Sequence, residues 1–63
     1  MNIIDKVNIT NIFNKEIELH NSMLKALSVI KVSEITNDQL LTIFKIKTEK
    51  SNLEYMLKLI QNV

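Results

Sequence analysis

The chain contains no glycine, no proline and no cysteine, and each absence excludes a class of functional site. Phosphate-binding loops, dinucleotide-binding turns and nucleophile elbows need glycine, because only glycine accepts positive φ and close backbone approach without strain. Disulfide frameworks and cysteine zinc clusters need cysteine. What remains suits helices joined by short polar turns, so the composition predicts an all-α chain.

Arginine is also missing, and every basic residue is lysine in a chain of net charge +1. Because arginine provides bidentate contacts to guanine and phosphate, nucleic acid is a poor candidate partner. The N-terminus lacks the basic start and long apolar run of a signal peptide, and no apolar stretch approaches the ~20 residues of a transmembrane helix. These features predict a cytoplasmic protein without a transmembrane segment.

The length of 63 residues predicts one small helical domain over residues 1–63. A chain this short buries only about 60% of its unfolded surface, so a core of its own is marginal. Yet 46% of its residues are apolar, which is more than so small a core needs. The surplus predicts apolar surface buried between chains, in a homo-oligomer or against a helical or grooved protein partner.

The first patterned segment predicts a helix over Thr10–Val32, with an apolar half that is wide enough for more than one neighbour. That half contains Ile9, Ile12, Phe13, Ile17, Leu19, Met23, Leu24, Ala26, Leu27 and Ile30. The preceding Met1–Ile9 segment follows no clear period. It is compatible with an extension of the helix, a separate arm or a loose end.

A second helix start is marked by Thr36 and Gln39, which have the spacing of a capping box. Ile35 and Leu40 are spaced as the accompanying hydrophobic staple. The turn between the helices is therefore expected near Ser33–Thr36. Short connections of this kind favour antiparallel neighbours.

The apolar residues on either side of the polar run 47–52 point in nearly opposite directions on a single straight helix. Two interpretations follow. The helix breaks near Lys50, with Ser51 and Glu54 forming another capping box, which gives a three-helix domain. Alternatively it continues and buries opposite faces against different neighbours, which gives a helical hairpin that must assemble; nothing in the run forces a break, and the hairpin is favoured.

The sequence offers no constellation typical of catalysis. His20 is the only histidine, and Glu16 lies one helical turn before it, so the pair predicts a local ion pair at the edge of an interface. A metal site needs three or more ligands, and the serines lack a base and an oxyanion hole. We expect no enzyme activity, no metal and no cofactor. The lysines near Lys47 are interspersed with glutamates and predict a solvated face.

The stretch Thr36-Asn37-Asp38-Gln39-Leu40-Leu41, followed by Ser51-Asn52-Leu53, resembles the middle of type III secretion needle and inner-rod subunits. The resemblance covers about the last 28 residues, and it implies a helical hairpin that polymerises with both faces of its second helix buried. Needle subunits usually carry proline where Asp38 stands, and they continue beyond the position of Val63. If the resemblance holds, the protein is secreted without a cleaved signal.

The sequence therefore predicts a non-catalytic protein that acts by association through amphipathic helices. Self-assembly and docking on one partner, as in a small regulator such as an anti-activator, antitoxin or phage-encoded inhibitor, are both compatible with it. The predicted interface anchors are large apolar residues at helical spacing. They are Leu24, Leu27, Ile43, Phe44, Leu53, Leu57 and Ile60.

Overall fold

The computed structural model describes residues 2–62, which form two long helices joined by one turn. Helix α1 spans Ile3–Ser28 and helix α2 spans Asn37–Gln61. The Lys6 ammonium donates to the carbonyl of Gln61 at 3.0 Å, so the start of α1 lies beside the end of α2. The helices are antiparallel in a rod of 49 × 15 × 13 Å. The predicted all-α helical hairpin is confirmed.

Helix α1 begins earlier and ends earlier than its pattern indicates. The Asn2 side chain accepts from the amide of Ile4 at 2.8 Å and caps the first turn, so residues 3–9 extend the helix. Met1, the first residue of that segment, lies outside the described residues. The predicted end at Val32 is wrong, because the helix stops at Ser28 and the turn occupies residues 29–36. The β-branched residues there are poor helix formers, and Val29 and Val32 are too exposed for packing to compensate.

Helix α2 begins with the predicted capping box. The Thr36 hydroxyl accepts from the Gln39 amide at 3.1 Å, and the Gln39 side chain accepts from the Thr36 amide at 2.9 Å. The helix then continues through 47–52 without interruption, so the alternative of a break near Lys50 and a third helix is wrong. Ser51 and Glu54 lie inside the helix, where the Glu54 carboxylate forms an ion pair with the Lys50 ammonium at 3.6 Å.

A repeating series of buried and half-buried positions marks where the helices face each other, and we call it the seam. On each helix these positions are spaced alternately by four and three residues, the heptad spacing of coiled coils. The seam residues are Lys6, Thr10, Phe13, Ile17, His20, Leu24 and Leu27 on α1, and Gln39, Ile43, Ile46, Lys50, Leu53, Leu57 and Ile60 on α2.

Little of this hairpin is fully enclosed. Within residues 2–62 only Ile46 and His20 are buried, each 7% exposed, and the rest of the seam is half-buried. Two helices alone leave one side of every seam layer open to solvent. The fold therefore presents much of its apolar surface on the outside.

Candidate interaction surface

His20 lies at the centre of the seam and links the two helices. Its Nδ1 lies 2.7 Å from the backbone carbonyl oxygen of Glu16, and its Nε2 lies 3.0 Å from the Glu49 carboxylate on α2. The predicted ion pair between the His20 and Glu16 side chains is therefore wrong. Glu16 contributes its carbonyl, and Glu49, which is 29 residues away in sequence, supplies the carboxylate because the hairpin brings it there.

Both neighbours of the imidazole are hydrogen-bond acceptors. A carbonyl and an ionised carboxylate can only accept, and a neutral imidazole carries only one N–H. The doubly protonated ring satisfies both contacts. Consistently, the pKa of His20 is raised above 6.5, first by the hydrogen bond to the Glu16 carbonyl and then by the hydrogen bond to Glu49, with burial acting in the opposite direction. His20 thus links the two helices, and protonation of its ring strengthens that link.

An open groove lies beside this histidine, with a volume of about 280 Å³. Its lining is Glu16 and His20 from α1, and Glu49, Asn52, Leu53 and Met56 from α2. The lining combines two carboxylates with apolar side chains. The paired His20 and Glu49 side chains form its polar end, and Leu53 and Met56 form its apolar part.

The side of α1 that borders this groove through Glu16 also carries a second heptad series, which we call the outer stripe. It consists of Ile9, Ile12, Glu16, Leu19, Met23 and Ala26, and Ile30 continues the spacing just beyond the helix end. The outer stripe lies about 100° around the helix axis from the seam. Leu19 is 52% exposed at its middle, and Ile12 is similarly accessible. On α2, the exposed side chain of Met56 borders the groove that Glu16 also borders. Helix α1 therefore has two faces with coiled-coil spacing. Helix α2 packs along the seam, whereas the outer stripe is half-buried at Ile9 and Met23 and exposed from Ile12 to Leu19 and at Ala26.

The accessible area shows how much surface the fold leaves uncovered. For a compact monomer of 7.3 kDa, the usual scaling of area with mass gives about 4,200 Å². The hairpin exposes 5093 Å². The excess is about 900 Å² per chain, which is close to one partner's share of a standard protein–protein interface.

The predicted anchors fall into two groups in this structure. Leu24, Leu27, Ile43, Leu53, Leu57 and Ile60 are half-buried seam residues that lie between the two helices of one chain. Phe44 is different, since it lies outside the seam and is 70% exposed. Their role in association with another chain stays a prediction.

Leu19 and Met56 have the accessibility that an anchor needs, and the choice of anchors from the sequence omitted both. The signal for Leu19 was present, because the outer stripe repeats with the same three-and-four spacing as the seam. From the sequence this series was not separated from the seam, because the residues of both were treated as one broad apolar half of the helix. Met56 required the hairpin register, which places it beside Glu16 across the groove.

Residues 2–62 include no group of three or more histidine, cysteine, aspartate or glutamate side chains placed to hold a metal ion. Neither α1 nor α2, over the part of the chain that the structure describes, combines the length and apolar character needed to cross a membrane. Comparison of the sequence with protein-family models, with curated proteins and with solved structures gives no significant match.

Proposed function

We propose that this protein is a non-catalytic helical hairpin that acts by associating with protein through the outer stripe and the groove beside it. The observation that supports the proposal is the second heptad series on α1, which spans residues 9–26 and leaves Ile12 and Leu19 more than half exposed. Apolar stripes at this spacing recognise another helix, because knobs on one helix pack into holes on the other.

Two kinds of association are compatible with this surface. In the first, copies of the chain cover one another's stripes; a needle-like polymer, as the resemblance to type III secretion subunits implies, is an extended form of this case. In the second, the hairpin is a small regulator that binds one different protein. The two cases differ in the mass of the purified protein.

Light scattering over a concentration series, combined with binding of an apolar fluorescent dye, tests the proposal. A mass above 7.3 kDa supports self-association. A monomer that binds the dye strongly supports a surface that awaits a different protein. A monomer that binds no dye at any concentration contradicts the proposal, because an accessible apolar stripe has to attract one or the other.

A further inference from the structure

The outer stripe has heptad spacing and one charged residue, Glu16, and these two features indicate what covers it. We propose that it pairs with the outer stripe of a second copy of this chain, in antiparallel orientation, so that two hairpins form a four-helix assembly. This inference rests on the proposed function and adds the partner to it.

The uncovered area matches a dimer of this chain. The excess of about 900 Å² per chain corresponds to about 1,800 Å² for two chains, and standard interfaces bury 1,600 ± 400 Å² in total. The net charge of only +1 gives two copies little mutual repulsion. A contact with one further hairpin therefore has the size of this excess.

The outer stripe also has the form that a helix of this chain itself requires. The seam already shows that α2 packs on α1 at heptad spacing, and the outer stripe repeats that spacing on the neighbouring face. A partner with a helix of similar length fits it, and α1 of a second copy is such a helix, with 26 residues. A twofold axis then lets each stripe cover the other.

Glu16 determines the orientation of the pair. It is the one charged residue of the outer stripe, and in a parallel, in-register dimer it faces its own copy. Like charges at such a contact are strongly unfavourable. An antiparallel register centred between residues 19 and 23 instead places Glu16 opposite Ala26, the smallest residue of the stripe, which leaves the carboxylate room to reach solvent. The same register places Leu19 opposite Met23 of the second copy.

A matched pair of leucine substitutions tests the surface. Leu19→Glu introduces a charge into the outer stripe, whereas Leu41→Glu makes the same change on α2 at a residue that is 67% exposed and outside both the stripe and the seam. In light scattering we expect the unmodified protein and Leu41→Glu to have twice the mass of one chain. Leu19→Glu is expected to have the mass of one chain, with its helical circular dichroism retained.

Single cysteines test the orientation, since the natural chain has none that would interfere. We expect Leu19→Cys mixed with Met23→Cys to form an interchain disulfide under mild oxidation faster than either variant alone, because bridged Cα atoms lie within about 7 Å. These small substitutions also address the interface if Leu19→Glu fails to fold. Faster bridging within each variant alone would indicate a parallel pair and overturn the antiparallel assignment.

The outcomes separate this inference from the proposed function. An unmodified protein that stays monomeric but binds the apolar dye overturns the homodimer and leaves association with another protein in place. A dimer that survives Leu19→Glu but dissociates with Leu41→Glu overturns the stripe as its interface. A monomer that binds no dye contradicts both.

Discussion

At the scale of single residues, His20 is the side chain that couples the two helices to pH. Its raised pKa means that the folded chain holds a proton at this site more tightly than the unfolded chain does. The resulting stabilisation is fully present below the unfolded pKa, near 6.5, and is lost as the pH rises through the folded pKa. The groups facing the ring are acidic, with Glu16 on its own helix and Glu49 on the opposite one.

We therefore expect the free energy of unfolding to be higher at about pH 5.5 than at about pH 8.5, as measured by urea denaturation at one fixed protein concentration. Glu49→Gln is expected to reduce this difference, because a neutral amide holds the imidazolium less strongly than a carboxylate does. Glu54→Gln is the control, since it makes the same change on α2 at the partner of Lys50. An equal pH dependence in all three proteins would show that the contact between His20 and Glu49 does not act in solution.

The exposures of Ile46 and Phe44 give a second expectation at this scale. Ile46 is 7% exposed, whereas Phe44, two residues earlier, is 70% exposed. Truncating a buried isoleucine to alanine costs about 2–5 kcal/mol, which is most of the stability of so small a domain. We expect Ile46→Ala to lower the urea midpoint sharply and Phe44→Ala to change the free energy of unfolding by about 0.5 kcal/mol or less. A larger loss of stability in Phe44→Ala than in Ile46→Ala would contradict the burial of Ile46 and the exposure of Phe44.

At the scale of helices, the features predicted correctly from the sequence are those with local causes. The capping box at Thr36 depends on residues three apart, so spacing alone was enough to place the start of α2. The C-terminal end of α1 depended on the exposure of Val29 and Val32, which the sequence pattern does not show. The contact between His20 and Glu49 joins residues 29 apart and required the hairpin register.

The seam was harder to predict because polar residues occupy several of its positions. Lys6, Thr10, Gln39 and Lys50 interrupt the apolar heptads, and many apolar residues lie outside the seam. Lys50 lies in the polar run for which a break in the helix was one of the two interpretations. In the structure its stem lies in the seam, and its ammonium reaches Glu54 one turn later. A lysine at a seam position sets the register of a helix pair and lowers its stability.

Replacing this lysine tests that interpretation of α2. We expect Lys50→Leu to raise the free energy of unfolding by about 1 kcal/mol, because it completes the apolar series without changing the helix. Lys47→Leu, three residues earlier and exposed, is the matched control and should have little effect. A loss of helical circular dichroism in Lys50→Leu would indicate that the charge is needed for helix continuity.

At the scale of the whole molecule, the hairpin is a thin rod whose shape explains its unusual surface. With cross-section extents of 15 × 13 Å, it has no interior beyond the seam, so apolar residues in excess of the seam have to lie outside. Two of these exposed residues, Ile12 and Leu19, lie on the outer stripe, and Met56 lies beside it across the groove. A second copy on that face gives each chain the core that its own length does not allow.

The most direct measurement is a dilution series in solution, followed residue by residue by the amide chemical shifts of the unmodified protein from ~1 mM to ~10 µM. We expect the amides around Ile12, Leu19, Met23 and Ala26 to shift together along one binding isotherm, while those around Leu41 and Phe44 stay in place. Shifts confined to Leu41 and Phe44 would contradict the proposal that a second copy covers the outer stripe, and so would an unchanged spectrum from a protein that has the mass of one chain.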